Sequence, residues 1–143
     1  CTNNTVMNTV KNILDKKGPY FNGVPSAMKV IEALSLMKAE NLSYVIVKDG
    51  DDFKGIMTER DYAQKVVLLS KNSTDTSVQE IMTTGLPIIS LDTTAEECMK
   101  LMNQHKTRYL VVFDGFDFKG IITIHDLMRD SLEAGDEFSE PIY

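Results

Sequence analysis

The chain has 143 residues, 43% of them apolar, and a formal net charge of −6. This composition fits one ordinary globular domain or two very small ones and excludes a wholly disordered chain. The acidic balance argues against a protein that wraps nucleic acid, because phosphate contacts need clustered Lys and Arg.

Signals for the membrane and for secretion are also missing from the sequence. No apolar run reaches the roughly 18–20 residues that span a bilayer, and no basic-then-apolar leader opens the chain. Cys1 and Cys98 form no Cys-x-x-Cys pair, which fits a reducing compartment. We therefore expect a cytoplasmic protein with no membrane and no nucleic-acid partner.

The first half of the chain predicts six elements. Their apolar spacing and turn residues give a helix through Val6, Val10, Ile13 and Leu14, an extended piece near Val24, a helix over about 26–41, strands Tyr44–Val47 and Lys54–Met57, and a helix from Glu59 to about Ser70. The Asp-Gly pair at 49–50 fits a hairpin turn between the two strands.

The second half predicts the same six elements after a polar link, Lys71–Thr76. They are a helix through Val78, Ile81 and Met82, an extended piece over 87–90, a helix beginning at Thr93 or Thr94, strands Tyr109–Phe113 and Lys119–Ile122, and a helix from Ile124 to about Glu133. The acidic tail over 134–143 ends the chain.

The two halves are copies of one another. Tyr44–Asp61 and Tyr109–Asp126 are identical at 11 of 18 positions with a constant offset of 65 residues. The sequence thus predicts an α+β fold in which the order β-α-β-β-α occurs twice, in repeats over 5–70 and 77–133. A repeat of about 60 residues buries too little surface to be stable alone, so we expect the two to pack sheet to sheet about a pseudo-two-fold axis.

Each copy carries the motif Gly-x-x-Thr-x-x-Asp where a strand runs into a helix, at Gly55–Asp61 and Gly120–Asp126. The first turn of a helix offers unpaired N–H groups to a phosphate. A carboxylate has enough acceptor sites for both hydroxyls of a ribose. A cation, Arg60 or His125, precedes each Asp and suits a phosphate partner. The motif therefore indicates a site for a phosphate-bearing ligand.

A structural interpretation of the same motif stands beside this one. Thr-x-x-Asp resembles a capping box, in which the Thr caps the helix and the acid at the third position returns a hydrogen bond. This interpretation accounts for Thr58, Asp61, Thr123 and Asp126 without any ligand. It leaves the Gly and the preceding cation unexplained, and capping is compatible with binding.

The duplicated β-α-β-β-α order, with this motif in each copy, resembles a tandem pair of cystathionine β-synthase (CBS) domains, a Bateman module. The resemblance covers about Val10–Leu132. The stretches 58–69 and 92–99 are similar to those of small stand-alone CBS-pair proteins of bacteria and plant organelles.

The resemblance implies an adenine-nucleotide sensor with up to two clefts between its repeats. We expect AMP as the ligand, with NAD or ATP as the next candidates. The Thr and Asp of each motif would hold the ribose, the preceding residue and the strand openings would meet phosphate, and a loop would enclose the adenine. The residues so implied are Thr58, Arg60 and Asp61 with the loop Leu86, Pro87 and Ile88 in one cleft, Thr123, His125 and Asp126 with the loop Tyr20, Phe21 and Asn22 in the other, and Tyr44 and Arg108 at the strand openings.

Family resemblance also implies a homodimer that regulates another, unidentified protein. The apolar faces of the last helix in each copy are candidates for the dimer contact, namely Ala63, Val66, Val67, Leu127 and Met128. The alternative is a structural dimerisation module with no physiological ligand.

The remaining reactive side chains do not indicate an enzyme. Cys98 lies on an apolar helix face and is expected in the core. His105 ends a helix, where a cation at the surface interacts favourably with the helix dipole. Neither shares metal-ligand spacing with His125, and no Walker motif is present. We expect no catalytic activity and no metal site.

Overall fold

The structure, a computed structural model, describes residues 8–19 and 23–133. Its elements in chain order are α1 (Val10–Lys17), β1 (Gly23–Val24), α2 (Val30–Ala39), β2 (Tyr44–Asp49), β3 (Asp52–Thr58), α3 (Glu59–Tyr62) continuing as a π-helical segment (Ala63–Val67), α4 (Val78–Ile81), β4 (Ile88–Ile89), α5 (Ala95–His105), β5 (Tyr109–Asp114), β6 (Asp117–Thr123) and α6 (Ile124–Glu133). The sequence predictions for Val6, the loop 20–22 and the tail 134–143 lie outside the described residues.

The chain divides into two compact units. We call Phe21–Gly85 the central unit and Cys1–Tyr20 with Leu86–Tyr143 the outer unit. Each unit holds one three-stranded sheet, ordered β1-β2-β3 in the central unit and β4-β5-β6 in the outer unit. In both sheets the short first strand runs parallel to the second, and the second and third form an antiparallel hairpin.

Each hairpin turns through a two-residue loop that begins with glycine. Gly50 and Gly115 both have φ of 64°, a left-handed conformation that glycine adopts without a steric penalty. The register in each hairpin shifts by one residue near the same place, after Val47 and after Val112. The predicted α+β class and the β-α-β-β-α order in both copies are confirmed.

The opening helix of each sequence copy packs in the unit that holds the other copy's sheet. The amide of Val10 in α1 donates to the carbonyl of Thr93 at 2.8 Å, and the amide of Val78 in α4 donates to the carbonyl of Met28 at 2.8 Å. The compact units therefore do not coincide with the predicted repeats 5–70 and 77–133. Each repeat is continuous along the chain, whereas each unit combines the sheet of one repeat with the opening helix of the other.

The two hydrophobic cores have the same construction. Each core combines apolar residues of an opening helix, of one face of the sheet and of the apolar face of the long helix. The outer core contains Val10, Ile13, Ile89, Cys98, Met102, Leu110, Val112, Ile122, Ile124 and Leu127. The central core contains Val24, Val30, Ala33, Met37, Val45, Val47, Met57, Val66, Val78 and Ile81.

This packing corrects part of the predicted dimer surface. Val66 and Leu127 were expected to face a second chain, but they are 2% and 1% exposed in the cores of their own units. Their helices direct these apolar side chains inward, because the side chains bury the apolar face of the sheet beneath each helix. Val67 stays exposed.

Two helix boundaries also differ from the predictions. The long first helix begins at Val30 and not near residue 26, because Met28 donates to the carbonyl of Pro25 in a turn. The helix predicted from Glu59 to about Ser70 becomes π-helical after Tyr62, with Leu68 donating to the carbonyl of Ala63. Over the described residues, no helix is long and apolar enough to cross a membrane.

The core position of Cys98 generates a prediction. Its side chain is 0% exposed, and burial raises the pKa of its thiol to about 12, with a smaller contribution from Glu97. Because the thiolate is the reactive form, a Cys1→Ser variant should resist a thiol reagent at pH 8 and react fully in guanidinium chloride. Rapid stoichiometric labelling of the native variant would contradict the buried placement.

Candidate functional site

The first motif forms a capping box at the junction of β3 and α3. The amide of Asp61 donates to Thr58 Oγ1 at 3.0 Å, and the amide of Thr58 donates to Asp61 Oδ2 at 3.0 Å. Thr58 is 7% exposed and Asp61 5% exposed. The capping interpretation of this motif is therefore confirmed, and a carboxylate is buried at the end of the strand.

The second oxygen of this carboxylate also has partners. Thr83 Oγ1 donates to Asp61 Oδ1 at 2.7 Å, and Lys65 Nζ lies 3.0 Å from the same atom. Lys65 Nζ also donates to the carbonyl of Ile81 at 3.0 Å. Asp61 thus ties the end of β3 to the chain that follows α4.

Close packing against that chain explains the glycine of the first motif. Ile56 and Thr83 form an isolated antiparallel bridge, with N···O distances of 3.1 and 2.7 Å. A Cβ atom on Gly55 would lie 2.4 Å from the carbonyl oxygen of Thr83. Packing within the chain therefore requires glycine at this position. The capping interpretation of the motif did not account for this glycine.

The second motif repeats the capping box at the junction of β6 and α6. The amide of Asp126 donates to Thr123 Oγ1 at 3.2 Å, and the amide of Thr123 donates to Asp126 Oδ2 at 2.9 Å. Thr123 is 7% exposed and Asp126 4% exposed. The local geometry of the two motifs is therefore the same.

The charges around the second carboxylate come from other places in the chain. Lys17 Nζ, at the end of α1, lies 2.9 Å from Asp126 Oδ2 and donates to the carbonyl of Ile121 at 2.9 Å. Arg129 Nη1 lies 3.3 Å from Asp126 Oδ1. Ile121 occupies the position of Ile56 in the first copy, so a lysine side chain here takes the acceptor that the Thr83 amide uses there.

A cavity of about 110 Å³ opens beside this group. Its lining residues are Ile13, Lys16, Lys17, Asp126, Arg129 and Asp130. Asp130 accepts a hydrogen bond from the side-chain amide of Asn8. The wall of the cavity thus combines one aliphatic side chain with three cations and two carboxylates.

The other predicted site residues are distributed around the two motifs. Arg60 and His125 are exposed, while Tyr44 and Arg108 are half-buried. Tyr44 stands opposite Thr58 in the β2–β3 register, and the Arg108 carbonyl accepts a hydrogen bond from the amide of Ile124 at 2.9 Å. The strand openings therefore lie beside the motifs.

The predicted adenine loops have different outcomes. Leu86 and Pro87 are half-buried, and the Pro87 carbonyl accepts from the amide of Val111 at 2.9 Å. Ile88 is 67% exposed. The loop Tyr20, Phe21 and Asn22 lies outside the described residues. Whether either loop meets a nucleotide stays a prediction.

Sequence reasoning missed four side chains that contact the motif carboxylates. They are Thr83, Lys65, Lys17 and Arg129. The i,i+4 and i,i+3 spacings on a helix were the available signals for Lys65 and Arg129. The sequence separations of 22 and 109 residues for Thr83 and Lys17 give no local signal.

The positions of His105 and Cys98 are those expected from the sequence. His105 is exposed in the last turn of α5, and Cys98 is buried. Within residues 8–19 and 23–133, no group of three or more His, Cys, Asp or Glu could hold a metal ion.

Comparisons with known proteins converge on one family. The family model described as "CBS domain" matches residues 21–67 and 78–133. A CBS-domain protein of Burkholderia ambifaria MC40-6, known from its solved structure, is 39% identical, with a TM-score of 0.82 and coverage of 92% of this chain and 98% of that one.

Two relatives known by sequence have the same domain. The CBS domain-containing protein YhcV of Bacillus subtilis is 33% identical over 67% of this chain and 68% of its own length. The mitochondrial CBS domain-containing protein CBSX3 of Arabidopsis thaliana is 28% identical over 85% of this chain. The match spans 63% of the length of CBSX3.

The close approach at Gly55 generates a prediction. Gly55→Ala should lower the free energy of unfolding by about 1–3 kcal/mol, because the methyl group forces β3 away from Thr83. Urea unfolding followed by circular dichroism measures this change. Gly50→Asn is a matched control, since Gly50 has open space around it and Asn tolerates a left-handed turn position. Equal stability of Gly55→Ala and the control would contradict the packing described here.

Proposed function

The chain belongs to the CBS domain family, and from that premise we propose that it is a regulatory module that binds an adenine nucleotide, AMP in the first instance, and modulates another protein. The observation that carries the proposal is the pair of buried carboxylates, Asp61 and Asp126, each held in the same geometry at the end of a strand. The Burkholderia relative carries a name that proposes a signal-transduction role for that protein.

The chemistry of the two carboxylates suits a ribose. Four lone pairs of a carboxylate can accept hydrogen bonds from two vicinal hydroxyls. The capping box holds each side chain in one rotamer, so the carboxylate is preorganised before a ligand arrives. Arg60 and His125 precede the two acids and are exposed, where they would meet a phosphate.

Nucleotide binding at these acids is an exchange of partners. Asp61 Oδ1 already interacts with Thr83 and Lys65, and Asp126 Oδ1 with Arg129. A ribose hydroxyl would replace one of these contacts. Because Thr83 also bridges β3, its displacement would couple binding to a change in the packing of the central unit. A ligand shifts such an equilibrium only through unequal affinity for the two states.

The same contacts favour the second candidate function, a structural module with no physiological ligand. Both carboxylates are satisfied by the chain alone, and both capping boxes are complete without a nucleotide. The two functions differ in one measurable property, which is whether an adenine nucleotide stabilises the folded protein.

We expect AMP to stabilise the folded chain. At 100 times its dissociation constant, AMP should raise the free energy of unfolding by about 2.7 kcal/mol for one site. Thermal unfolding with AMP, ADP, ATP and NAD measures the effect. No stabilisation by any of them at millimolar concentration would support the structural module.

Two substitutions connect the binding to the motifs. Asp61→Asn and Asp126→Asn keep the size of the side chain, and each should remove one site from the AMP stoichiometry measured by calorimetry. Asp49→Asn is the matched control, because Asp49 is an aspartate at the exposed end of β2 that accepts hydrogen bonds from Ser26 and belongs to neither motif. Full AMP stoichiometry in the double variant of Asp61 and Asp126 would exclude both acids as ribose ligands.

The proposed module also includes a homodimer. Val67, Leu68 and Leu69 form a run of consecutive aliphatic side chains that are 54%, 74% and 61% exposed at the end of the π-helical segment. Burying aliphatic surface of this kind gains roughly 25 cal/mol per Å². We propose that this run, together with Ala63, contacts a second copy of the chain.

Size-exclusion chromatography with light scattering tests the dimer. The chain should elute with twice its mass of 16.1 kDa, and a variant with Leu68→Glu and Leu69→Glu should elute as a monomer. Phe116→Glu is the control, since Phe116 is fully exposed at a hairpin turn. A dimer that survives the double substitution would contradict this surface.

A further inference from the structure

The two motif carboxylates are neutralised in different ways. In the central unit the cation nearest Asp61 is Lys65, one helical turn along the same helix. In the outer unit the position equivalent to Lys65 is Asp130, and the cations that meet Asp126 are Lys17 from α1 and Arg129. The same capping box is therefore set in two different charge environments.

The two acids also differ in which side chains supply the charges around them. The cavity beside Asp126 has Lys16, Lys17 and Arg129 against Asp126 and Asp130, which leaves one net positive charge. At the corresponding places around Asp61 the sequence has Thr84, Gly85, Gln64 and Lys65, and Arg60 precedes the acid, so the net charge is the same but the cations stand at different positions. Asp130 also accepts a hydrogen bond from the side chain of Asn8.

Arg129 is placed to exchange partners at low cost. It contacts Asp126 through one nitrogen at 3.3 Å, and its side chain is 62% exposed. Only the arginine of this pair is exposed, and a single contact at 3.3 Å is weaker than a bidentate one, while guanidinium is the side-chain group whose geometry best matches a phosphate. Lys17, at 25% exposure and 2.9 Å from Asp126 Oδ2, would keep the carboxylate neutralised when Arg129 turns to another anion.

We infer that Arg129, supported by Lys17, is a specificity-determining residue that makes the second motif select a nucleoside monophosphate over the uncharged nucleoside. The inference rests on the proposed function and deepens it. The first motif has Gln64 at the place of Arg129, and there Arg60 is the exposed cation that would meet a phosphate.

The experiment reads the two motifs separately. The backbone amides of Thr58 and Thr123 donate to the two carboxylates, so their chemical shifts report ligand contact at each motif in a ¹⁵N spectrum. Titrations with AMP and with adenosine then give two affinities at each amide. In the unmodified chain, AMP should bind more tightly than adenosine at Thr123.

A reciprocal exchange of side chains supplies the controls. Arg129→Gln should weaken AMP about tenfold at Thr123, the effect of one charge-assisted hydrogen bond, and leave adenosine nearly unchanged. Arg129→Lys should retain most of the preference. Gln64→Arg should strengthen AMP binding at Thr58 only. Because both positions lie on helix surfaces, circular dichroism spectra should not change.

The outcomes separate this inference from the proposed function. If AMP moves both amides but Arg129→Gln leaves the preference at Thr123 intact, the specificity role is wrong and the binding proposal survives. If neither AMP nor adenosine moves either amide in the unmodified chain, both proposals are wrong.

Discussion

The reciprocal hydrogen bonds between a threonine and an aspartate three residues later determine the geometry of both junctions. In each unit, the strand ends at the threonine, the helix begins at the next residue, and the aspartate is buried beneath the turn. A buried carboxylate must be hydrogen-bonded or paired, because an isolated ion is costly to bury. The capping box meets part of this requirement, and the rest is met by side chains from elsewhere in the chain.

Those additional partners link each junction to the opening helix of the other sequence copy. Thr83 follows α4 and contacts Asp61, while Lys17 ends α1 and contacts Asp126. Gly55 and Gly120 lie under the same segments, with Thr83 and Leu14 nearest to the missing Cβ atoms. Any ligand that binds an aspartate therefore acts at the place where the opening helix is attached, which gives a regulatory module a physical connection between binding and packing.

Local sequence patterns were sufficient to predict the elements, their order and the capping boxes. Alternating β-branched residues and the Asp-Gly pairs marked the hairpins, and the duplication doubled every signal. The exchange of α1 and α4 between the copies could not be predicted, because packing of a short helix depends on which core it completes. Val66 and Leu127 show the same limit, since periodicity identifies an apolar face but not the surface it covers. Lys17 and Asp126 are 109 residues apart, and no local pattern joins them.

A crystal structure of the protein grown with AMP is the most direct test of the account. We predict that the ribose hydroxyls lie within about 2.6–3.2 Å of the carboxylate oxygens of Asp61 or Asp126, with Thr83 or Arg129 displaced from its present partner. An AMP molecule bound elsewhere, with both carboxylates keeping all their present contacts, would contradict the account.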